Sequence, residues 1–250
     1  MTGSLATVSP LPVLVVQHED QCPPGWMGDW LAEAGVVLDV RRPYRGDALP
    51  GTLDGHGAML VLGGSMDAWS GDAHPWLWQV EELVRRAAVD RTPVLGICLG
   101  HQLAAIALGG TVERNPRGQQ IGVLRMGWTD AAATDPMLGP LDGAAVAVQW
   151  NNDLVTVVPP GAKVLARTPD GELQAARFAP SVWGVQCHPE AGEEIVSAWA
   201  AGDRDDAASR GVDVDEYVAQ VAAAGPELQS SWRPLALALA GLRRDVVETP

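Results

Sequence analysis

Residues 93–110 read PVLGICLGHQLAAIALGG, and this stretch decides the fold. An apolar run at 93–97 leads into a turn containing Gly96, Cys98 and Gly100, and an alanine-rich apolar segment follows. The pattern predicts a strand, a sharp turn and a helix. Glycine suits such a turn because it lets two backbone segments approach closely and accepts positive φ. The turn would hold the Cys98 side chain over the end of a sheet, at a helix N-terminus that favours a thiolate.

A buried structural cysteine at a strand end is the alternative interpretation of Cys98. The glycines two positions before and after it, and the His101-Gln102 pair that follows, favour a functional elbow instead. Cys98 is therefore the candidate nucleophile.

The first half of the chain alternates strands with helices. Apolar runs at 11–17, 36–40, 58–62 and 93–97 are typical of strands buried on both faces of a parallel sheet. Apolar residues recur at helical spacing in the two intervening segments, 23–35 and 75–90. This order predicts an α/β fold, with a doubly wound, mostly parallel central sheet flanked by helices. Gly63-Gly64 and Cys98 both follow strands, so we expect them to share one crevice at the carboxyl edge.

The second half predicts antiparallel strands and then helices. The strand-like runs are 111–114, 120–128, 144–150, 163–167, 173–178 and 182–186. The helix candidates are 193–201, 214–223 and 231–242, with a charged separator at 202–210 and a frayed tail at 241–250. We expect one domain over 1–250, with a core at about 11–200 and a helical extension at about 201–245.

Composition excludes several classes of function. The net charge is −14, and Lys163 is the only lysine among 17 basic residues, so nucleic acid is not an expected partner. No apolar run approaches the ~20 residues that span a membrane, and the first residues lack a secretory signal pattern. Three cysteines without zinc-site spacing indicate a reducing, cytoplasmic setting, and we expect neither a metal nor a cofactor.

One of the five histidines is placed to serve Cys98. His188 follows the predicted strand 182–186, and Glu190 lies two residues on, where an extended backbone puts both side chains on one side. Glu190 could then orient His188 as a general base. The alternative is a surface His-Pro-Glu at a strand end. The other histidines have less specific settings: His101 should point away from the crevice, His56 and His74 lie in polar loops where exposure is expected, and His18 could line the crevice.

An oxyanion hole is expected at the same edge. Negative charge develops on the carbonyl oxygen during attack on an amide, and backbone N–H groups stabilise it. The N–H groups of Gly64 and Leu99 are the candidates, with Gly63 allowing close approach of the substrate.

Three motifs together resemble the class I, triad-type glutamine amidotransferases. They are GICLGHQ at 96–102, QCHPE at 186–190 and LGGS at 62–65, and the resemblance spans 13–190. It implies the flavodoxin-like fold of that family, Cys98 as nucleophile, and His188 as base and acid oriented by Glu190. It further implies a γ-glutamyl thioester, ammonia as product, and Gln102 holding the amino-acid end of the substrate. The chain looks most like stand-alone members similar to the amidotransferase domain of GMP synthase.

The sequence departs from the family pattern at three places. Cys187 stands where an aromatic residue is common, which raises the question of a redox role. Residues 150–153 read WNND where stand-alone members often have Trp-His-x-Asp, and Met66 follows GGS where the family commonly has proline after the paired glycines.

Three functions are compatible with these residues. The first is hydrolysis of glutamine, with ammonia passed to an acceptor on a separate synthetase subunit, because the chain has no P-loop pattern. The second is hydrolysis of γ-glutamyl peptides or amines by the same triad, with Met66, Trp69 and Trp150 lining the leaving-group pocket. The third is a non-catalytic binding protein on the same fold.

Overall fold

The computed structural model describes residues 11–141 and 144–244, and its centre is an eight-stranded sheet. The strands lie in the order β2 (Leu38–Arg41), β1 (Val13–Val16), β3 (Ala58–Val61), β4 (Val94–Ile97), β12 (Val182–Val185), β11 (Leu173–Ala179), β10 (Lys163–Arg167) and β7 (Gly127–Trp128). The first five strands are parallel, and the last three join antiparallel. The predicted mostly parallel α/β sheet is confirmed.

Helices cover both faces of this sheet. They are α1 (Gly25–Glu33), α2 (Trp76–Asp90), α3 (Leu99–Ala107), α4 (Glu193–Ser209) and α5 (Val214–Leu242). Alternate residues of β1 point into different cores: Val13 and Val15 face the side of α1 and α5, whereas Leu14 and Val16 face α2 and α3. All four residues are fully buried, as the continuous apolar run predicts. No helix in the described ranges is both long and apolar enough to cross a membrane.

Two antiparallel ribbons stand apart from the main sheet. One pairs β6 (Gln120–Arg125) with β8 (Val146–Asn151), and the other pairs β5 (Thr111–Arg114) with β9 (Asp153–Val157). The predicted strand 120–128 is divided at Met126: β6 ends at Arg125, and residues 127–128 join the main sheet as β7. The strand β9 was not predicted, since only Asn152 separates it from β8 and no glycine or proline marks the change of partner.

The C-terminal helices are longer than predicted. The charged segment 202–210, expected to be a separator, lies mostly inside α4. Most of its charges remain exposed, and Arg210 forms an ion pair with Asp206 within the segment. The two expected helices 214–223 and 231–242 are one helix that passes through Pro226 and Pro234. Packing of its apolar face overrides the low helix propensity of proline there.

The expected frayed tail is wrong for its first residues. The helix α5 includes residues 241 and 242, and the Arg244 N–H donates to the Gly57 carbonyl at 2.9 Å. Residues 245–250 lie outside the described residues.

Candidate active site

The elbow between β4 and α3 presents Cys98. Its backbone has φ 49° and ψ −104°, a conformation that non-glycine residues rarely adopt. The flanking glycines serve close packing: a Cβ on Gly96 would clash with the Gly100 carbonyl, and a Cβ on Gly100 would clash with the carbonyl of Val61. The positive φ that sequence reasoning gave to glycine thus belongs to the cysteine itself.

His188 and Glu190 form a buried pair beyond the end of β12. The His188 Nδ1 and Glu190 Oε1 atoms are 2.7 Å apart, and both side chains are at most 3% exposed. The His188 N–H donates to the Val148 carbonyl at 2.8 Å, which fixes the backbone. Burial disfavours the imidazolium, but the negative charges of Glu190 and Cys98 outweigh it and raise the pKa of His188 to about 10. The imidazole is therefore held protonated at neutral pH.

The loop at Gly63 and Gly64 lies beside the side chains of Cys98 and His188. A Cβ on Gly63 would lie 3.0 Å from His188 Cε1 and 3.7 Å from Cys98 Cβ, so this loop touches both side chains. A Cβ on Gly64 would lie 3.0 Å from Leu99 Cδ2. In the part of the chain that the structure describes, the N–H groups of Gly64 and Leu99 donate no hydrogen bond, and Leu99 is the first residue of α3.

A glutamine chain links Gln102 to the cysteine. Gln102 Nε2 donates to the Asp153 carbonyl at 3.0 Å and to Gln186 Oε1 at 3.3 Å. Gln186 Nε2 in turn lies 3.6 Å from Cys98 Sγ. Sequence reasoning missed Gln186. The sequence did contain an indication of its role. Gln186 is two residues before His188, and on an extended chain this spacing puts both side chains on the same side.

A cavity of about 300 Å³ lies over this edge of the sheet. Cys98, His188, Gln102 and Gly64 line its floor, whereas Glu190 is buried behind His188. Of the side chains predicted for the leaving-group pocket, Met66 and Trp150 line the cavity. Trp69 is not among the lining residues and is 50% exposed.

One wall of the cavity carries paired charges. Arg114 lies between Asp67, at 2.9 Å, and Asp153, at 3.1 Å. Burial raises the pKa of Asp153, although Arg114 opposes that shift. This wall offers a guanidinium and two carboxyl groups side by side.

The helix α4 also lines the cavity, with residues that sequence reasoning did not predict for the site. The Trp199 ring packs against the His188 ring with centroids 4.6 Å apart, and Trp199 Nε1 donates to the Gln21 carbonyl. Asp203, one turn further along α4, accepts a hydrogen bond of 2.7 Å from Trp150 Nε1.

The other two cysteines are not placed to act as thiolates. Cys187 is fully buried, and burial, followed by the charge of Glu190, raises the pKa of its thiol well above the usual value. Burial also raises the pKa of Cys22, whose Sγ donates to Glu19 Oε1 at 3.2 Å. The uncharged state of Cys187 argues against the redox role that its position suggested.

The remaining histidines are mostly structural. His101 is buried against Phe178 and does not line the cavity, as expected, and burial lowers its pKa to about 3. His18 is buried rather than lining the cavity, packs beside Gly64 and accepts a hydrogen bond from an indole. The predicted exposure of His56 is wrong, because its Nε2 bonds to Asp39 at 2.9 Å and the residue is 8% exposed. His74 is half-buried.

A large, mostly parallel sheet flanked by helices is the fold of the class I glutamine amidotransferases. The chain belongs to the glutamine amidotransferase class-I family, whose model matches residues 53–195. Membership supports glutamine amide hydrolysis as its general chemistry.

Relatives with curated names are similar over parts of their length. The putative glutamine amidotransferase-like protein YfeJ of Salmonella typhimurium is 30% identical to this chain. The match covers 72% of this chain and 76% of the length of YfeJ. A glutamine-hydrolysing GMP synthase subunit of Saccharolobus solfataricus is 40% identical over 40% of this chain, and γ-glutamyl peptidase 5 of Arabidopsis thaliana is 28% identical over 58%. The matches span 52% and 57% of those two relatives.

A solved structure matches nearly the whole fold. The glutamine amido transferase from Methylobacillus flagellatus aligns with a TM-score of 0.85 and 25% identity, over 96% of this chain and 98% of that one.

Proposed function

We propose that the protein hydrolyses the side-chain amide of glutamine through a γ-glutamyl thioester on Cys98. The observation that carries this proposal is the placement of Cys98, on a strained elbow beside the buried His188–Glu190 pair. The pKa of His188 is raised to about 10, so its imidazolium provides the positively charged partner that a nucleophilic cysteine uses. We assign the reaction to the cytoplasm, where such a thiol stays reduced.

The first half of the reaction forms the thioester. The Cys98 thiolate attacks the γ-carbonyl carbon, and the Gly64 and Leu99 N–H groups bind the developing oxyanion. Each such donor is typically worth about 3–4 kcal/mol. The C–N bond then breaks as His188 Nε2 gives its proton to the leaving nitrogen, so ammonia departs.

The second half releases glutamate. Water attacks the thioester carbonyl while His188 takes one proton from it, and the C–S bond breaks to restore the thiolate. Glu190 keeps the imidazole oriented through both halves, because its carboxylate accepts from Nδ1. Gln102 would hold the amino-acid end of the substrate with Oε1, since its Nε2 is engaged by Asp153 and Gln186.

The fate of the ammonia is a separate proposal. The relative named as a GMP synthase subunit supports an acceptor on a separate synthetase subunit. The relative named γ-glutamyl peptidase supports the second candidate, a hydrolase of γ-glutamyl peptides or amines with the same triad. The cavity wall at Trp150 and Trp199 favours this candidate, because it offers contact surface beyond the scissile amide.

The test is turnover of glutamine and γ-glutamyl compounds by the purified chain and its Cys98→Ala variant. Glutamate release should fall to background in the variant, and a glutamine-analogue diazo ketone should label wild type only. Cys187→Ala is the matched control, because that thiol is uncharged and outside the cavity, and it should keep turnover within a few-fold. Activity near wild type in Cys98→Ala would show that another residue is the nucleophile.

A further inference from the structure

Three side chains form a wall on one side of the cavity, called here the leaving-group wall: Trp150, Trp199 and Asp203. The two indole rings are tilted by 53° with centroids 6.0 Å apart. Trp150 Nε1 and Gln119 Nε2 donate to the carboxylate of Asp203. Asp203 is half-buried, and within residues 11–141 and 144–244 no arginine, lysine or histidine pairs with it.

The proton donor places the leaving group against this wall. His188 must protonate the leaving nitrogen. It lines the cavity, and its buried Nε2 has no partner among the described residues. Trp199 packs directly on the His188 ring. A substituent on the leaving nitrogen would therefore run along Trp199 toward Asp203, four residues on along α4. That step is about 6 Å, roughly the span of a four-carbon alkyl chain.

A second group of charged side chains in the cavity lining suits the other end of the substrate. Arg114 with Asp67 and Asp153 presents both signs of charge, which matches the α-carboxylate and α-ammonium of a glutamyl group. The Asp153 carbonyl is also bonded to Gln102, which connects this wall to the residue proposed to hold that end. The leaving-group wall has only a negative charge.

We propose that the leaving-group wall is a subsite for amines that carry a second positive charge. The substrates would be γ-glutamyl amides of diamines, with the distal ammonium paired to Asp203 and lying against the indole faces. A carboxylate and aromatic faces together recognise an ammonium. Glutamine, which loses only ammonia, would leave this wall unfilled. The inference rests on the proposed function and specifies its substrate class.

The chemistry needs no reactant beyond water. The γ-amide C–N bond breaks, the amine takes the His188 proton, and water cleaves the thioester to glutamate as above. The distal ammonium of the diamine takes no part in bond breaking, so its effect is on binding and placement.

The experiment compares kcat/KM for three γ-glutamyl amides of equal length: the amide of 1,4-diaminobutane, of pentylamine and of 4-aminobutyrate. Their distal ends are positive, neutral and negative. In wild type the diaminobutane amide should exceed the pentyl amide by about 10-fold or more, as expected for a charged hydrogen bond. The aminobutyrate amide should be the slowest of the three.

Asp203→Asn removes the charge and keeps an oxygen for Trp150 Nε1. It should lower the ratio of kcat/KM for the diaminobutane amide to kcat/KM for the pentyl amide about 10-fold, because only the diaminobutane amide carries the distal positive charge. Asp205→Asn, on the exposed side of the same helix, is the matched control and should leave this ratio unchanged.

The outcomes separate this inference from the proposed function. Turnover of all three amides without a charge preference in wild type overturns the inference alone, and so does an unchanged preference in Asp203→Asn. No turnover of any γ-glutamyl compound, glutamine included, overturns both. The wild-type comparison is independent of how any variant folds.

Discussion

At the scale of single residues, the His188–Glu190 pair sets the protonation state of the site. The Glu190 carboxylate contributes a hydrogen bond of 2.7 Å and a negative charge. The negative charge favours the imidazolium and thereby raises the pKa of His188. Position 190 can be changed so that these two contributions separate.

Glu190→Gln keeps the hydrogen-bonding oxygen and removes the charge. The pKa of His188 should fall, so the alkaline limb of kcat/KM against pH should move to lower pH, because the imidazolium is the form that protonates the leaving nitrogen. Turnover should drop by about 100-fold, at the low end of general acid–base contributions. The measurement is a pH–rate profile for glutamate release.

Glu194→Gln is the control for this profile, because Glu194 is an exposed acid on α4. It should reproduce the wild-type curve. A Glu190→Gln profile with the same alkaline limb as wild type would show that the charge of Glu190 does not raise the pKa of His188.

The residues proposed to be catalytic could be found from the sequence, whereas the contacts that support them could not. Cys98, His188 and Glu190 stand in short local patterns whose spacing has a geometric meaning. Trp199 and Asp203 reach the cavity only because α4 passes over it after β12, a placement set by tertiary packing. No local pattern distinguishes them from other residues of an amphipathic helix.

At the scale of elements, the packing of α3 against the sheet depends on one glycine. Gly100→Ala would push a Cβ into the carbonyl of Val61, and backbone at the centre of the sheet has little room to move. The free energy of unfolding should fall by about 1–3 kcal/mol or more, as for overpacked cores. Urea denaturation is the measurement.

Gly225→Ala is the matched substitution in α5. A Cβ there meets nothing within 4 Å, so the free energy of unfolding should stay level or rise by about 0.5–1 kcal/mol. Equal losses in both variants would show that close approach to β3 does not explain Gly100.

The docking of α5 depends on Trp232. This side chain is 1% exposed, its Nε1 donates to the Val146 carbonyl at 2.9 Å, and its ring lies 6.1 Å from that of Trp128. Trp232→Ala should reduce the free energy of unfolding by about 3–5 kcal/mol. Thermal and urea unfolding both measure this.

Trp78→Ala is the comparison, because Trp78 on α2 is 52% exposed. This substitution should lower the free energy of unfolding by only about 0.5 kcal/mol. A loss at Trp232 no larger than at Trp78 would mean that α5 adds little to the stability of the core.

Element types were predicted better than element ends. The strands β1, β3 and β4 follow from continuous apolar runs, and α2 from its buried stripe and its ion pairs. The length of α5 was missed because proline is read locally as a stop, whereas the energy that keeps the helix intact comes from distant packing partners.

At the scale of the whole molecule, buried histidines give stability a pH optimum. Burial lowers the pKa of His18 and His101 to about 3, so the stability of their neutral forms is present above pH ~6.5 and is lost as pH falls. The pKa of His188 is raised to about 10, so its contribution is present below pH ~6.5 and is lost as pH rises through 10. Each group changes stability by about 1.4 kcal/mol per pH unit within its window.

The free energy of unfolding, measured in urea from about pH 4 to 9, should therefore be greatest near pH ~6–7. His188→Gln should flatten the alkaline side and leave the acid side unchanged. An alkaline side as steep in His188→Gln as in wild type would assign that loss to other groups.

The elbow has a consequence for the evolution of this chain. Cys98 holds a backbone conformation that glycine would adopt with less strain, and such strain typically amounts to about 1–3 kcal/mol. Mutational drift toward a more stable protein would thus remove the thiol. If Cys98 is the nucleophile, selection for turnover and selection for stability act in opposite directions at this position.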